Sequence, residues 1–192
     1  MFNIKKLFTD FDNTLVSTTE AFIKTYSSIH KDHPEFIQPN WEDVNEWDFK
    51  DTCHLLNGRD DVEAIFKMKE LFDNLKLINH NTYEVLEKIS NKYQIVLVSI
   101  GSYENIHHKS LYVKNNIPFI KDSVFLVNEN CAMKKELVNM SGEGNVFLED
   151  VKSNLDSVIV DRKICFGRIR SWNEQWEGER AFNWSEVAEK LL

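Results

Sequence analysis

Two carboxylates stand two residues apart, Asp10 and Asp12, inside the stretch Leu7-Phe8-Thr9-Asp10-Phe11-Asp12-Asn13-Thr14-Leu15. The apolar run Ile4 to Phe8 ahead of them reads as a strand. In an extended chain the side chains at i and i+2 share a face, so both acids point the same way where the strand ends. Like charges held that close need a cation or a shared proton. The carboxyl end of a parallel strand is also where open α/β sheets bind ligands. Asp10 is therefore a candidate nucleophile and metal ligand, and Asp12 its acid/base neighbour. The same residues also suit a surface turn after an edge strand, because Asp and Asn hydrogen-bond their own backbone. The rest of the chain has to choose between the two.

Further polar residues fall at the ends of later apolar runs. Gln94-Ile95-Val96-Leu97-Val98-Ser99 is a near-continuous apolar strand that runs into Ile100-Gly101-Ser102, and Asn145-Val146-Phe147-Leu148 ends on Glu149-Asp150. A doubly wound sheet gathers such ends at one edge, where each could supply part of a phosphoryl-transfer site. Asp10 can attack phosphorus as a carboxylate, and Asp12 can protonate the leaving oxygen and then activate water. Ser99, with the backbone N–H groups of Ile100 and Gly101 at a strand-to-helix turn, can hold phosphate oxygens. Asp150 can complete an all-oxygen Mg²⁺ site with Asp10 and a backbone carbonyl. A lysine is needed to offset charge on the phosphoryl group, and Lys134 and Lys135 are the first candidates.

The elements that must position these residues follow from periodicity. Val16, Phe22, Ile23, Tyr26 and Ile29 form one helical face, with Ser17, Thr18 or Thr19 as caps. His30 to Asp51, with Pro34, Pro39 and the aromatics Trp41, Trp47 and Phe49, is poorly periodic, and Val62 to Leu75 reads as a second helix. Residues 16–78 thus form a small helical insertion. From residue 79 strands and helices alternate: a helix through Tyr83, Val85, Leu86 and Ile89, the Gln94 strand, a helix through Leu111 and Val113, a strand at Ser123 to Val127, and a helix from about Ala132 to Val138. The Asn145 strand follows, then a strand at Lys163 to Phe166, a Trp-rich tail and a helix from about Trp184 to Leu191. Such alternation implies an α/β fold with a parallel sheet and right-handed crossovers.

Composition removes several classes of function. The 192 residues suit one domain, here 1–15 with 79–192, carrying the insertion. Three scattered cysteines, Cys53, Cys131 and Cys165, lack metal-ligand spacing, which points to a reducing compartment and away from zinc. No charged-then-apolar leader precedes the first strand and no apolar run approaches the roughly 18 residues of a membrane span, so a cytoplasmic protein is expected. A net charge of −8 argues against general nucleic-acid binding.

Taken together, Asp10-Phe11-Asp12-Asn13-Thr14, the Ser after a second strand, a Lys ahead of a third element, and the acidic pair followed by Lys152, Ser153 and Asn154 resemble the four signature motifs of the haloacid-dehalogenase superfamily. Within it the chain is most similar to the 5'(3')-deoxyribonucleotidases, on Trp47-Asp48-Phe49, on Lys109 with Tyr112 through Phe119, and on Arg180 with Asn183-Trp184. The resemblance implies a Rossmann-like core with strand order 5-4-1-2-3, a small helical cap after strand 1, and Mg²⁺-dependent hydrolysis of nucleoside monophosphates through an aspartyl-phosphate. Carried over by position, Asp10 is nucleophile and ligand, Asp12 is acid/base with its carbonyl on the metal, and Asp150 is the third ligand. Ser99 and Lys135 bind phosphate, Lys134 is the alternative lysine, and Lys109 is a third that could reach the ester. Trp41, Trp47 and Phe49 are candidates for stacking on the base.

The chain departs from the family pattern at three places. Asn13 stands where Gly is usual, a position Asn tolerates because it accepts left-handed geometry. Glu149 replaces the first Asp of the acidic pair, and Ile100 lacks a hydroxyl, which leaves more of the phosphate binding to backbone amides. Other residues have plainer readings: His107 and His108 as exposed helix positions, Trp172, Trp176 and Trp184 as packing for the tail, Asp60-Asp61 and Glu42-Asp43 as solvated faces. The rival functions are a phosphatase of this fold for a sugar phosphate, another small phosphoester or a nucleic-acid terminal phosphate, and a non-catalytic binding protein. Assembly as a homodimer is left open.

Overall fold

Parallel strands buried on both faces need apolar side chains at every position, and that is how the central sheet is built. The computed structural model describes residues 4–127 and 138–192. Its six strands are β1 (Lys6–Thr9), β2 (Gln94–Gly101), β3 (Asp122–Val127), β4 (Val146–Glu149), β5 (Arg162–Phe166) and β6 (Glu179–Ala181). All pair in parallel, in the order β3-β2-β1-β4-β5-β6. Alternate residues of one strand enter opposite cores: Leu7, Ile95, Leu97, Leu148, Ile164 and Phe166 face one, and Phe8, Val96, Val98, Phe147 and Cys165 face the other. The expected order 5-4-1-2-3 is present and gains a sixth strand outside β5. With three residues, Glu179-Arg180-Ala181, that strand is too short to show alternation. It is held by pairing to β5 and by the Arg162 fork on Glu179, at 2.6 and 2.7 Å.

The helices are α1 (Thr18–His30), α2 (Arg59–Lys67), α3 (Lys69–Asp73), α4 (Thr82–Ser90), α5 (Tyr103–Asn116), α6 (Lys152–Ser157) and α7 (Trp184–Leu191), with a short 3-10 turn at Trp41–Asp43. The helix expected over Val62 to Leu75 is two, because Met68 is extended (ψ 136°) between α2 and α3. The helix expected at Ala132 lies, save for Val138, outside the described residues. Ser17 occupies the N-cap of α1 without a side-chain bond. The first turn is instead capped from the preceding loop, where Asn13 Oδ1 accepts from the Thr19 N–H and hydroxyl, both at 2.9 Å. Asn13 adopts φ 52°, the left-handed geometry that the loop requires there.

The chain leaves β1 for the inserted helices and returns beside its point of departure. Ser17 N–H donates to the Lys76 carbonyl and Ile78 N–H to the Leu15 carbonyl, each at 3.0 Å, across an antiparallel bridge between Val16 and Leu77. Between these ends Phe22 stacks on Phe49 with ring centroids 3.9 Å apart, and Tyr26, Cys53, Val62, Ile65 and Leu71 fill the space around them. The segment then docks on α5, where Phe72 stacks on His108 and Asn105 Nδ2 donates to the Phe66 carbonyl at 2.9 Å. His108 is thus half-buried, and His107 is exposed as expected.

Trp184, fully buried, ties α7 to the loop after β1 by donating from Nε1 to the Thr14 carbonyl at 2.9 Å. Trp184→Phe removes that donor and leaves a small void, so a loss of about 1–3 kcal/mol is expected in urea unfolding, read as a lower midpoint at unchanged slope. Burial also pushes the thiols of Cys53 and Cys165 up to about 12. In a Cys131→Ser background neither thiol should react with Ellman's reagent at pH 8 until the protein is unfolded, since the thiolate is the reactive form.

Candidate active site

The register of the sheet delivers the polar residues to one edge. Thr9 is level with Leu97 on β2 and with Leu148 on β4. The residues just beyond are Asp10, then Val98 and Ser99, then Glu149 and Asp150. Asp10 N–H donates to the Leu148 carbonyl at 3.0 Å, which carries the β1–β4 pairing to the first acid.

Four carboxylates meet here and separate into two environments. Asp10, Glu149 and Asp150, all buried, each offer an oxygen within 4.8 Å of the others. That all-oxygen set fits a hard divalent cation such as Mg²⁺, and it holds no sulfur or imidazole that would favour zinc. Asp12 has other partners. Its carboxylate forms an ion pair with Lys109 and accepts from the Thr18 hydroxyl at 2.8 Å. Lys109 is almost wholly buried, and its ammonium also donates to Ser99 Oγ at 3.0 Å and to the Ile100 carbonyl at 3.2 Å. A buried ammonium persists only with its donors satisfied, and this one spends all three on the strand end, the following turn and Asp12. The Phe11 ring lies 5.4 Å from it.

A cleft of about 440 Å³ opens beside this pair, between the inserted segment and the β2–α5 turn. Asp12, Lys109, Gly101, Ser102, Phe66 and Trp47 line it, a volume suited to a small organic ligand. Gly101 carries a steric requirement, since a Cβ there would lie 2.3 Å from Asn105 Oδ1. A smaller cleft of about 170 Å³ reaches Asp150 from the other side, past Asn13, Trp41, Arg170 and Trp172. Burial, and then the nearby Arg168, push the Arg170 guanidinium below its usual value.

The model of the family described as "5' nucleotidase, deoxy (Pyrimidine), cytosolic type C protein" matches residues 3–192. The chain belongs to this family. It is a phosphoric monoester hydrolase of the 5'-nucleotidase type, on the haloacid-dehalogenase fold. A 5'(3')-deoxyribonucleotidase of Clostridium acetobutylicum is 26% identical over 170 residues, which cover 86% of this chain and 89% of that protein. Among solved structures, a haloacid dehalogenase-like hydrolase from Streptococcus pneumoniae superposes with TM-score 0.66 at 15% identity, covering all of both chains. A hydrolase of the same superfamily from Bacillus subtilis, solved with magnesium bound, superposes with TM-score 0.60 at 13% identity over 98% of this chain and 99% of that one.

Against this geometry the expected residues sort clearly. Asp10 and Asp150 lie in one carboxylate cluster, and Ser99, Ile100 and Lys109 lie in one hydrogen-bond network. Asp12 joins that network through its side chain, so only its backbone carbonyl is left for the metal role assigned to it. Lys134 and Lys135 lie outside the described residues; among the described residues, the lysine at Asp12 and Ser99 is Lys109. Trp47, half-exposed, lines the larger cleft, whereas Trp41 lines the smaller one. Phe49 is a correction: it is buried against Phe22 at a positive φ of 59° and has no face left for a base. Glu149, expected at the strand end as the replacement for the first Asp of the acidic pair, belongs to the carboxylate cluster. Trp172, read as tail packing, donates from Nε1 to Asp150 Oδ2 at 3.1 Å, a contact no local pattern announces.

Lys109→Met keeps the buried stem and removes the cation. Hydrolysis of p-nitrophenyl phosphate should fall on the order of 10²-fold in kcat/KM, with the circular dichroism spectrum retained. A wild-type rate in this variant would exclude Lys109 from the phosphate site.

Proposed function

We propose that the protein is a Mg²⁺-dependent phosphatase of nucleoside monophosphates, with pyrimidine deoxyribonucleotides its preferred class, acting in the cytoplasm through an aspartyl-phosphate on Asp10. The observation that carries the reading is the division of labour between the two acids of β1. Asp10 lies in the carboxylate cluster, while Asp12 faces the larger cleft in contact with a buried lysine. Environments that separate two neighbouring carboxylates in this way assign them different roles. Among the described residues no helix is long and apolar enough to cross a membrane.

In this reading the ester phosphate sits against Ser99 and the amides of Ile100 and Gly101, and Lys109 turns one of its donors from Asp12 to a phosphate oxygen while Asp12 takes up a proton from solvent. A carboxylate oxygen of Asp10 attacks phosphorus, the bond from phosphorus to the nucleoside oxygen breaks, and the leaving oxygen takes its proton from Asp12. Asp12, now ionised, accepts a proton from the water that attacks the acyl phosphate. The phosphorus–oxygen bond to Asp10 breaks, inorganic phosphate leaves, and both acids return to their starting states. Asp10, Asp150 and Glu149 would hold the magnesium ion, which when bound offsets the charge of the phosphoryl oxygens. Trp47 at the cleft wall supplies an aromatic surface for the base.

Phosphate release from a panel of deoxy- and ribonucleoside monophosphates, with Mg²⁺ and with excess chelator, tests the proposal. Pyrimidine deoxyribonucleotides should be turned over fastest and only with metal, and Asp10→Asn should lower turnover by at least about 10³-fold in a folded protein. Fast turnover of a sugar phosphate with none of nucleotides would replace the substrate class. Residual activity in Asp10→Asn would remove the covalent route.

A further inference from the structure

The inserted segment and the tail meet directly. Ser171 N–H donates to Asn45 Oδ1 at 3.2 Å and its hydroxyl to the Asn45 carbonyl at 2.5 Å. Arg170 Nη2 donates to the Trp41 carbonyl at 3.3 Å. Trp47 sets its ring against Trp172 at 75°, with centroids 5.4 Å apart. These contacts form a clasp between residues 41–47 and residues 170–172.

Trp172 is the member of the clasp that reaches the carboxylate cluster. Its indole N–H bonds to Asp150 Oδ2, and the next residue, Asn173, donates from Nδ2 to the Asp150 carbonyl at 2.9 Å. Two consecutive tail residues therefore hold Asp150, one at its side chain and one at its backbone. A ligand carboxylate that is hydrogen-bonded by a neighbour keeps the orientation its metal needs, and loss of such a neighbour commonly weakens metal affinity by tenfold or more. The other partner of the Trp172 ring, Trp47, lines the larger cleft.

We propose that Trp172 is a positioning residue: its indole N–H orients Asp150 for the metal, and the clasp with Trp41, Asn45 and Trp47 holds Trp172 in the place from which it does so. The proposal rests on the reading of Asp10, Glu149 and Asp150 as the metal cluster. A plain packing role for Trp172 makes a different forecast, because phenylalanine retains most of the ring and lacks only the donor.

Calorimetric titration of the full chain with Mg²⁺ alone tests the proposal. Trp172→Phe should weaken Mg²⁺ binding roughly tenfold, and Asn45→Ala, which leaves the indole in place and loosens the clasp, should weaken it by less. In assays with dTMP, Trp172→Phe should lower kcat at limiting Mg²⁺ while KM for nucleotide moves less than about twofold, and raising Mg²⁺ roughly tenfold should restore kcat. Should Trp172→Phe not fold, the indole resonance of Trp172 in wild-type protein labelled with ¹⁵N-tryptophan takes its place, and it should shift on adding Mg²⁺. Equal Mg²⁺ affinity in the variant, a kcat deficit that Mg²⁺ does not restore, or an unmoved resonance overturns the proposal alone. Absence of Mg²⁺ binding by the wild type overturns the metal reading and this proposal together.

Discussion

The structure depends on holding four carboxylates at one edge of a parallel sheet. Asp10, Asp12, Glu149 and Asp150 emerge from two adjacent strands, and like charges so placed oppose folding unless each finds compensation. The chain meets this constraint by dividing the four. Asp12 is drawn off by Lys109 and Thr18, and the other three gather in one cluster. The division that makes the edge tolerable also gives two neighbouring aspartates different surroundings.

Lys109 shows how that division is built into the fold. It sits two turns into α5, packed under the end of β2, where its ammonium bridges Ser99, the Ile100 carbonyl and Asp12. Those contacts join β1, β2 and α5 at the point where a phosphate would bind. The inserted segment closes the site from above. It has its own aromatic core, centred on Phe22 and Phe49; its two ends meet at the Val16–Leu77 bridge, and it contacts the rest on α5 and at the tail.

The tail is more than packing. Trp184 anchors the last helix to the loop after β1, Asn173 and Trp172 hold Asp150, and Ser171 reaches the insertion. The loop after β1 in turn organises its own surroundings, since Asn13 caps α1 in place of Ser17. A residue that seemed a weakness of the motif, because it replaces glycine, supplies both the left-handed turn and the cap.

By itself the sequence determined most of the elements and marked the candidate site residues. Period-2 and period-3.6 patterns located five of the six strands and most helices, because burial on both faces of a sheet leaves an apolar run that is hard to mistake. The acids at the ends of those runs marked Asp10, Asp12 and Asp150 for the same reason. Tertiary structure alone decided which groups meet. Lys109 was one of three candidate lysines, and only the packing of α5 against β2 brings it to Ser99 and Asp12. Phe49 and Trp47 are two residues apart and look alike as aromatics, yet backbone geometry buries one and leaves the other at the cleft. The bond from Trp172 to Asp150 spans 22 residues. Periodicity records whether a side chain is buried, and only the packed chain records what it is buried against.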